Sequence, residues 1–340
     1  MSRATAQQQS HESVDVGDGR RIDVYERLGK GQCSTVYRAV LESTTGIKRS
    51  IAFKLFSAVS SDESDHVISC VAQTAERAAC VRHPNVVEVY DCGLWSGQPF
   101  LINELVEGVT LATFTELYAQ KQRRLPLDLA LFIISEVAEG LSGARTARDH
   151  EGVQLGMLHL GLTPRDVLLS WRGEVKVSDF EINRARAATS SIRSMRSVAG
   201  RANMMAPEVA QGAPGDARAD VFSLGVLMRE LLIGPRFPVG LTNAEAIRLA
   251  REGYVQPMTF QPHLPEALVP IMLRSLEVDP EERFRNVSAM AFELRRLALA
   301  LGVGDGRYFL RCALDRLFGR CEEVTAEKAF STVPPANDEG

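Results

Sequence analysis

Up to Glu107 the apolar residues come in short β-rich runs broken by turns, and from Gly108 onward they come in long stretches with helical spacing. That change of rhythm inside one chain restricts the architecture to an α+β arrangement of two lobes, a small β-rich one followed by a larger, mainly helical one. In the first part, "IDVYERLG", "STVYRAVL" and "RSIAFKLF" are separated by Gly- and Ser/Thr-rich turns and predict an antiparallel meander. "SDESDHVISCVAQTAERAACVRH" supplies the one main helix of this lobe. Ser and Asp stand at its start, and Val67, Val71, Thr74 and Ala78 share one face. The strands "VVEVYDCGLW" and "PFLINELVEG" complete it. The second part reads as helices over "ATFTELYAQKQ", "PLDLALFIISEVAEGLSGARTARDH", "ARADVFSLGVLMRELLIG", "NAEAIRLAREG", "LPEALVPIMLRSLEV" and "VSAMAFELRRLALALG", with strand-like "VLLS" and "EVKVSDF" interposed near 159–182. The expected divisions are a flexible tail over 1–20, a small lobe over 21–107, a large lobe over 108–302, an extra helix over 303–321 and a second tail over 322–340.

Charge and cysteine usage narrow the function classes. A formal net charge of -4 gives no basic field for nucleic acid or acidic membranes. The six cysteines form no CxxC pair and no Cys/His cluster, which argues against a zinc site or a disulfide scaffold and suits a reducing cytoplasm. The polar start "MSRATAQQQSHESVDVGDG" has no apolar core for secretion, and no stretch approaches the roughly 18 apolar residues of a membrane helix. A cytoplasmic protein without membrane insertion is expected.

Five short stretches carry chemistry. "LGKGQCSTV" holds Gly29 and Gly31, where backbone N–H groups can approach phosphates closely. "IAFK" ends in Lys54, "LHLGLTPRDVLL" runs from His159 through Asp166, "VSDFE" carries Asp179, and "APE" closes at Glu208. In this order and spacing they resemble the eukaryotic-like (Hanks-type) Ser/Thr protein kinase family in its bacterial form, over roughly residues 20–300. The resemblance implies a bilobal protein-kinase-like fold. It also implies a nucleotide site made from Gly29, Gly31, Val36, Ala52, Lys54, Glu104, Val106, Leu168 and Asp179, with Lys54 on the phosphates. Asp179, with Asp166, would hold magnesium if ATP binds, and Glu181 adds a third acid beside Asp179. The fold itself would require neither ATP nor magnesium. Structural roles fall to His159, to Phe180 between the lobes, to Asp220 bracing the loop at 159–166, and to a Glu208–Arg283 ion pair.

Where the family places working groups, several positions differ. Thr74 stands where the helix would offer an acid to Lys54, with Glu76 rotated away. Gly161 stands in place of the catalytic Asp, Thr163 in place of a Lys, Asp166 in place of an Asn, and Arg201 in place of a Thr. Loss of a positioned base costs about 10²–10⁴ in rate. The chain is therefore identified as a degenerate member, a pseudokinase: not an enzyme, but a scaffold or regulator binding another protein, such as an active kinase or signalling component. The alternative is an unconventional Ser/Thr kinase transferring the γ-phosphate of ATP to protein hydroxyls. Thr189, Ser190, Ser191, Ser194 and Ser197, interleaved with arginines, are read either as phosphorylation sites for another kinase or as part of a solvated loop. Finally, Tyr308, Phe309, Cys312, Leu317 and Phe318 fall at partly helical spacing, in a helix that packs on its own domain or meets a partner.

Overall fold

A computed structural model describes residues 12–16, 19–31, 34–57, 61–121, 124–180, 201–257 and 264–320. Among them, six strands form one antiparallel sheet: β1 (Glu12–Asp15), β2 (Arg21–Lys30), β3 (Ser34–Glu42), β4 (Lys48–Phe56), β5 (Val89–Trp95) and β6 (Gln98–Glu104), in the order β1-β2-β3-β4-β6-β5. Alternation sorts their side chains. Ile51 and Phe53 of β4 join Ile22, Ala39, Phe100 and Ile102 in a buried cluster, while Phe56 lies with Leu101 under α1 (Ser61–Ala79). Val67, Val71 and Ala75 are the residues through which α1 packs there. Lys54, between Phe53 and Phe56 in sequence, is therefore carried on the helix-facing side of a rigid sheet.

The tail expected over 1–20 needs correcting. Glu12–Asp15 is a strand, paired with β2 so that Val14 lies opposite Ile22 and is fully buried. An edge strand needs only one apolar face, and a single Val within "ESVD" provides it without disturbing the polar look of the segment.

Between Glu104 and Gly108 the chain leaves the first sheet. β7 (Gly108–Thr110), β8 (Val167–Ser170) and β9 (Val175–Val177) make a second, three-stranded sheet. Around it stand α2 (Leu111–Gln120), α3 (Leu127–Thr146), α4 (Pro207–Gln211), α5 (Ala217–Leu232), α6 (Asn243–Arg251), α7 (Leu268–Ser275), α8 (Val287–Ala300) and α9 (Gly306–Phe318). α5 is buried on nearly every side, its buried polar residues Asp220, Ser223 and Arg229 included, and with α3 it forms the centre of the large core. The architecture is thus a β-sheet lobe with one helix, joined to a helical lobe.

Gly108 sits where the lobes join, and its position tolerates no side chain. A Cβ there would lie 1.9 Å from the Leu169 carbonyl oxygen, a backbone atom that cannot turn aside. Gly108→Ala is expected to lower stability by about 1–3 kcal/mol, read as a fall in the urea midpoint with an unchanged slope.

α9 packs on its own domain, which decides between the two readings of that segment. Leu310 and Leu314 are fully buried in the large core. Phe318, its last residue, meets the Trp171 ring at 5.2 Å, and past its end the Arg320 guanidinium stacks on the same ring at 4.3 Å. The Trp171 backbone N–H in turn donates to the Glu107 carbonyl at 2.8 Å. Both Glu107 carboxylate oxygens accept from Arg38 of β3, and that guanidinium holds the Glu107 carboxyl below the usual carboxylate range. One chain of contacts thus links β3, the segment between the lobes and the last helix.

Candidate active site

The site is assembled from two directions. From the small lobe, pairing of β3 with β4 sets Val36 opposite Lys54, while Ala52 lies two residues before Lys54 on the same face. Lys54 is only 3% exposed, and its ammonium meets Asp179 Oδ1 at 2.5 Å. An unpaired ammonium so deeply buried would be costly, and the pairing with Asp179 offsets part of that cost. Thr74 of α1 is buried and Glu76 exposed, so the partner of Lys54 comes from the other lobe and not from the helix.

The large lobe contributes a loop, 159–166, held by buried contacts. Asp220, on the first turn of α5, accepts the N–H groups of His159 at 2.8 Å and Leu160 at 2.7 Å. Burial pushes the Asp220 carboxyl up, and His159 together with the two N–H bonds opposes that shift. Leu160 takes a positive φ of 54° within this braced turn. The fully buried His159 ring lies 2.9 Å through Nε2 from the Ser178 carbonyl and edge-on to Phe180 at 5.2 Å. Ser178 donates both its N–H (2.8 Å) and its hydroxyl (3.2 Å) to the Asp166 carbonyl. The loop and the segment carrying Asp179 are therefore stitched side by side. Asp179 itself adopts a φ of 66°, a left-handed conformation that Asp tolerates better than most residues.

Within the loop, Asp166 is nearly buried and its Oδ2 accepts the Thr163 N–H and hydroxyl, both at 2.8 Å. Arg201 comes back onto the loop from beyond Asp179, donating through Nη1 to the Gly161 carbonyl at 3.1 Å, with Nη2 3.9 Å from Asp166 Oδ1. Sequence reasoning counted Arg201 as a loss, and the reach of its side chain could not be read from one substituted letter. Farther down, Arg283 meets both carboxylate oxygens of Glu208 at 2.9 Å.

The remaining predicted positions divide. Val36, Ala52, Val106 and Leu168 are half-buried, as the walls of a slot would be. Glu104 spends its carboxylate on Lys176 at 2.9 Å and its N–H on the Glu88 carbonyl at 2.9 Å, so neither is directed at a nucleotide. Gly29 has open space where a Cβ would stand, but the Gly31 N–H is taken by the Ser34 carbonyl at 2.8 Å. Glu181 and the hydroxyls Thr189, Ser190, Ser191, Ser194 and Ser197 lie outside the described residues.

Magnesium and ATP fit what is present. Among the described residues no cluster of three or more His, Cys, Asp or Glu side chains forms a protein cage for a metal. Magnesium asks for less, since one or two carboxylates together with phosphate oxygens hold it. Asp179 is 19% exposed, next to a buried cation, and that donor set suits the group. Lys54 and Asp179 would divide it between them, the ammonium on phosphate oxygens and the carboxylate on the metal.

Comparison with known proteins agrees with this geometry. The family described as protein tyrosine and serine/threonine kinase matches residues 22–291. The chain is 30% identical over 309 residues to "Tyrosine-protein kinase MasK" of Myxococcus xanthus, covering 90% of this chain and 47% of that protein. It is 29% identical to "Probable serine/threonine-protein kinase PknB" of Lactococcus lactis, over 79% of this chain and 41% of the relative. The serine/threonine-protein kinase PknB of Mycobacterium leprae is 28% identical, over 82% and 43%. The chain thus spans less than half the length of these curated relatives.

These matches overturn one expectation. The substitutions at Thr74, Gly161, Thr163 and Arg201 led to the reading "not an enzyme", yet the relatives are named as kinases and nothing among the comparisons marks an inactive branch. The physical fault in that inference is one of proportion. Phosphoryl transfer leaves little covalent chemistry to the protein, so positioning and electrostatics carry most of the acceleration, and a missing base lowers the rate without abolishing it. By its matched residues, its fold and its paired Lys54 and Asp179, the chain belongs to the protein kinase family.

Proposed function

We propose that the protein transfers the γ-phosphoryl group of ATP to hydroxyl groups of a protein, serine and threonine foremost, as an unconventional Ser/Thr kinase. The observation that carries this reading is the Lys54–Asp179 pair, a buried cation and a partly open carboxylate drawn together from the two lobes. Bound Mg·ATP supplies the transferable phosphoryl group and the neutralisation of its oxygens. With the nucleotide bound, Lys54 would be the residue on the phosphate oxygens and Asp179 the residue on the metal. Val36, Ala52, Val106 and Leu168 enclose the apolar base of the nucleotide, and the loop at 159–166 forms the floor against which an acceptor hydroxyl is aligned. Gly161 has no side chain with which to take the acceptor's proton. Starting from about 1–100 s⁻¹ for kinases, a missing base leaves turnover of about 10⁻⁴–1 s⁻¹, within reach of a radiolabel assay.

Two relatives named as serine/threonine kinases support the hydroxyl class, and one named as a tyrosine kinase makes it worth measuring. An ATP-dependent reaction suits the cytoplasm, as does the absence of a disulfide at Cys70, Cys80, Cys92 and Cys312 among the described residues, with a protein of a signalling pathway as substrate or partner. No helix among the described residues is long and apolar enough to cross a membrane. The test is transfer from γ-labelled ATP with magnesium, followed by identification of the labelled amino acid. Lys54→Met is expected to reduce labelling about 10²-fold or more. Wild-type labelling no greater than that of Lys54→Met defeats the reading.

A further inference from the structure

The site carries two carboxylates on adjacent, stitched segments, and each has a cation brought from elsewhere in the chain. Lys54 serves Asp179 from the small lobe. Arg201, from beyond Asp179 in sequence, lies 3.9 Å from Asp166, which is a Coulombic contact and too long for a hydrogen bond. Its hydrogen bond at 3.1 Å goes to the backbone carbonyl of Gly161. Because Gly161 lacks a side chain, nothing from that residue stands between the guanidinium and the loop backbone. The Arg201 side chain is 20% exposed, so the charge is neither sealed in the core nor left in bulk solvent.

A polyphosphate entering beside Asp166 and Asp179 meets two like charges, which magnesium offsets in part and a cation on that floor would offset further. Thr163 carries none, and its hydroxyl is engaged with Asp166. We propose that Arg201 binds the γ-phosphoryl group of the nucleotide, so that Lys54 and Arg201 hold the phosphate chain from opposite sides. A guanidinium suits the task through its planar fork of donors, which matches phosphate oxygens two at a time. The inference rests on the functional reading above and adds a residue and a preference to it: the site distinguishes ATP from ADP through a side chain that follows Asp179 in sequence. Arg201 as a simple staple of the loop would give no such preference.

Calorimetric titration of the full chain with Mg·ATP and with Mg·ADP separates these cases. The wild type is expected to bind ATP more tightly than ADP. Arg201→Met should weaken ATP about 10- to 100-fold, the loss of a charged hydrogen-bonding group, while ADP stays within about twofold. Arg201→Lys should keep part of the ATP preference, since it keeps the charge but not the fork. If ATP and ADP weaken together, or neither changes, Arg201 is structural and the inference fails while the kinase reading stands. If the wild type binds neither nucleotide, the kinase reading fails and takes the inference with it. Melting temperatures of the variants identify any that do not fold.

Discussion

Asp179→Asn should lower phosphoryl transfer by about 10²–10³-fold, the range seen when a single electrostatic group is removed from a preorganised site. The substitution keeps the shape of the side chain and removes the charge. It acts twice. It takes away the carboxylate suited to magnesium, and it leaves the Lys54 ammonium, only 3% exposed, without its partner at 2.5 Å. The second effect lowers stability before nucleotide arrives, because a buried charge without compensation is costly. A melting curve in the absence of nucleotide should therefore shift downward, and Mg·ATP should recover less of that loss than it stabilises in the wild type. Unchanged turnover in Asp179→Asn would remove Asp179 from the chemistry.

The second large effect is on stability and lies away from the cleft. The Arg283 side chain is fully buried, binds both oxygens of Glu208, and donates to the carbonyls of Glu277, Arg218 and Val278 at 2.7–3.1 Å. Arg283→Met removes all of these donors together. It leaves a carboxylate that is 19% exposed and three carbonyl oxygens facing an apolar chain. Breaking such a pair from one side costs about 3–5 kcal/mol. For a chain of this size the melting temperature should fall by on the order of 10 °C. The double variant Glu208→Gln/Arg283→Met should be less destabilised than the sum of the two single variants, because the stranded charge is gone. Strict additivity would show that the pair contributes nothing as a pair.

Sequence reached the architecture because its signals are periodic and long. The helix patterns at α3, α5 and α8 run for several turns, and β3 and β4 are β-rich runs of nine residues each. β7 is three residues long and β1 four, too short to rise above their surroundings. The site was legible residue by residue but not as contacts. Lys54 and Asp179 were both named, yet they lie 125 positions apart, and the partner of Lys54 was sought on α1 at Thr74. Arg201 was misjudged for a related reason: motif spacing fixes where a backbone runs, and a long side chain can return to a loop forty residues earlier. The step from missing groups to missing activity failed on magnitudes, since one base is a small part of what accelerates phosphoryl transfer.

The last helix separates two meanings of the word domain. The stretch matched by descent ends at residue 291, inside α8, while Leu310 and Leu314 of α9 fill the same core that α3 and α5 build. What ancestry defines and what folds as a unit have different lengths in this chain. A protein trimmed at the inherited boundary would expose the surface that α9 covers, and the Trp171 ring would lose both Phe318 and Arg320. Failure of such a shortened protein to stay soluble would then describe the cut, and would say nothing about the kinase-like lobes themselves.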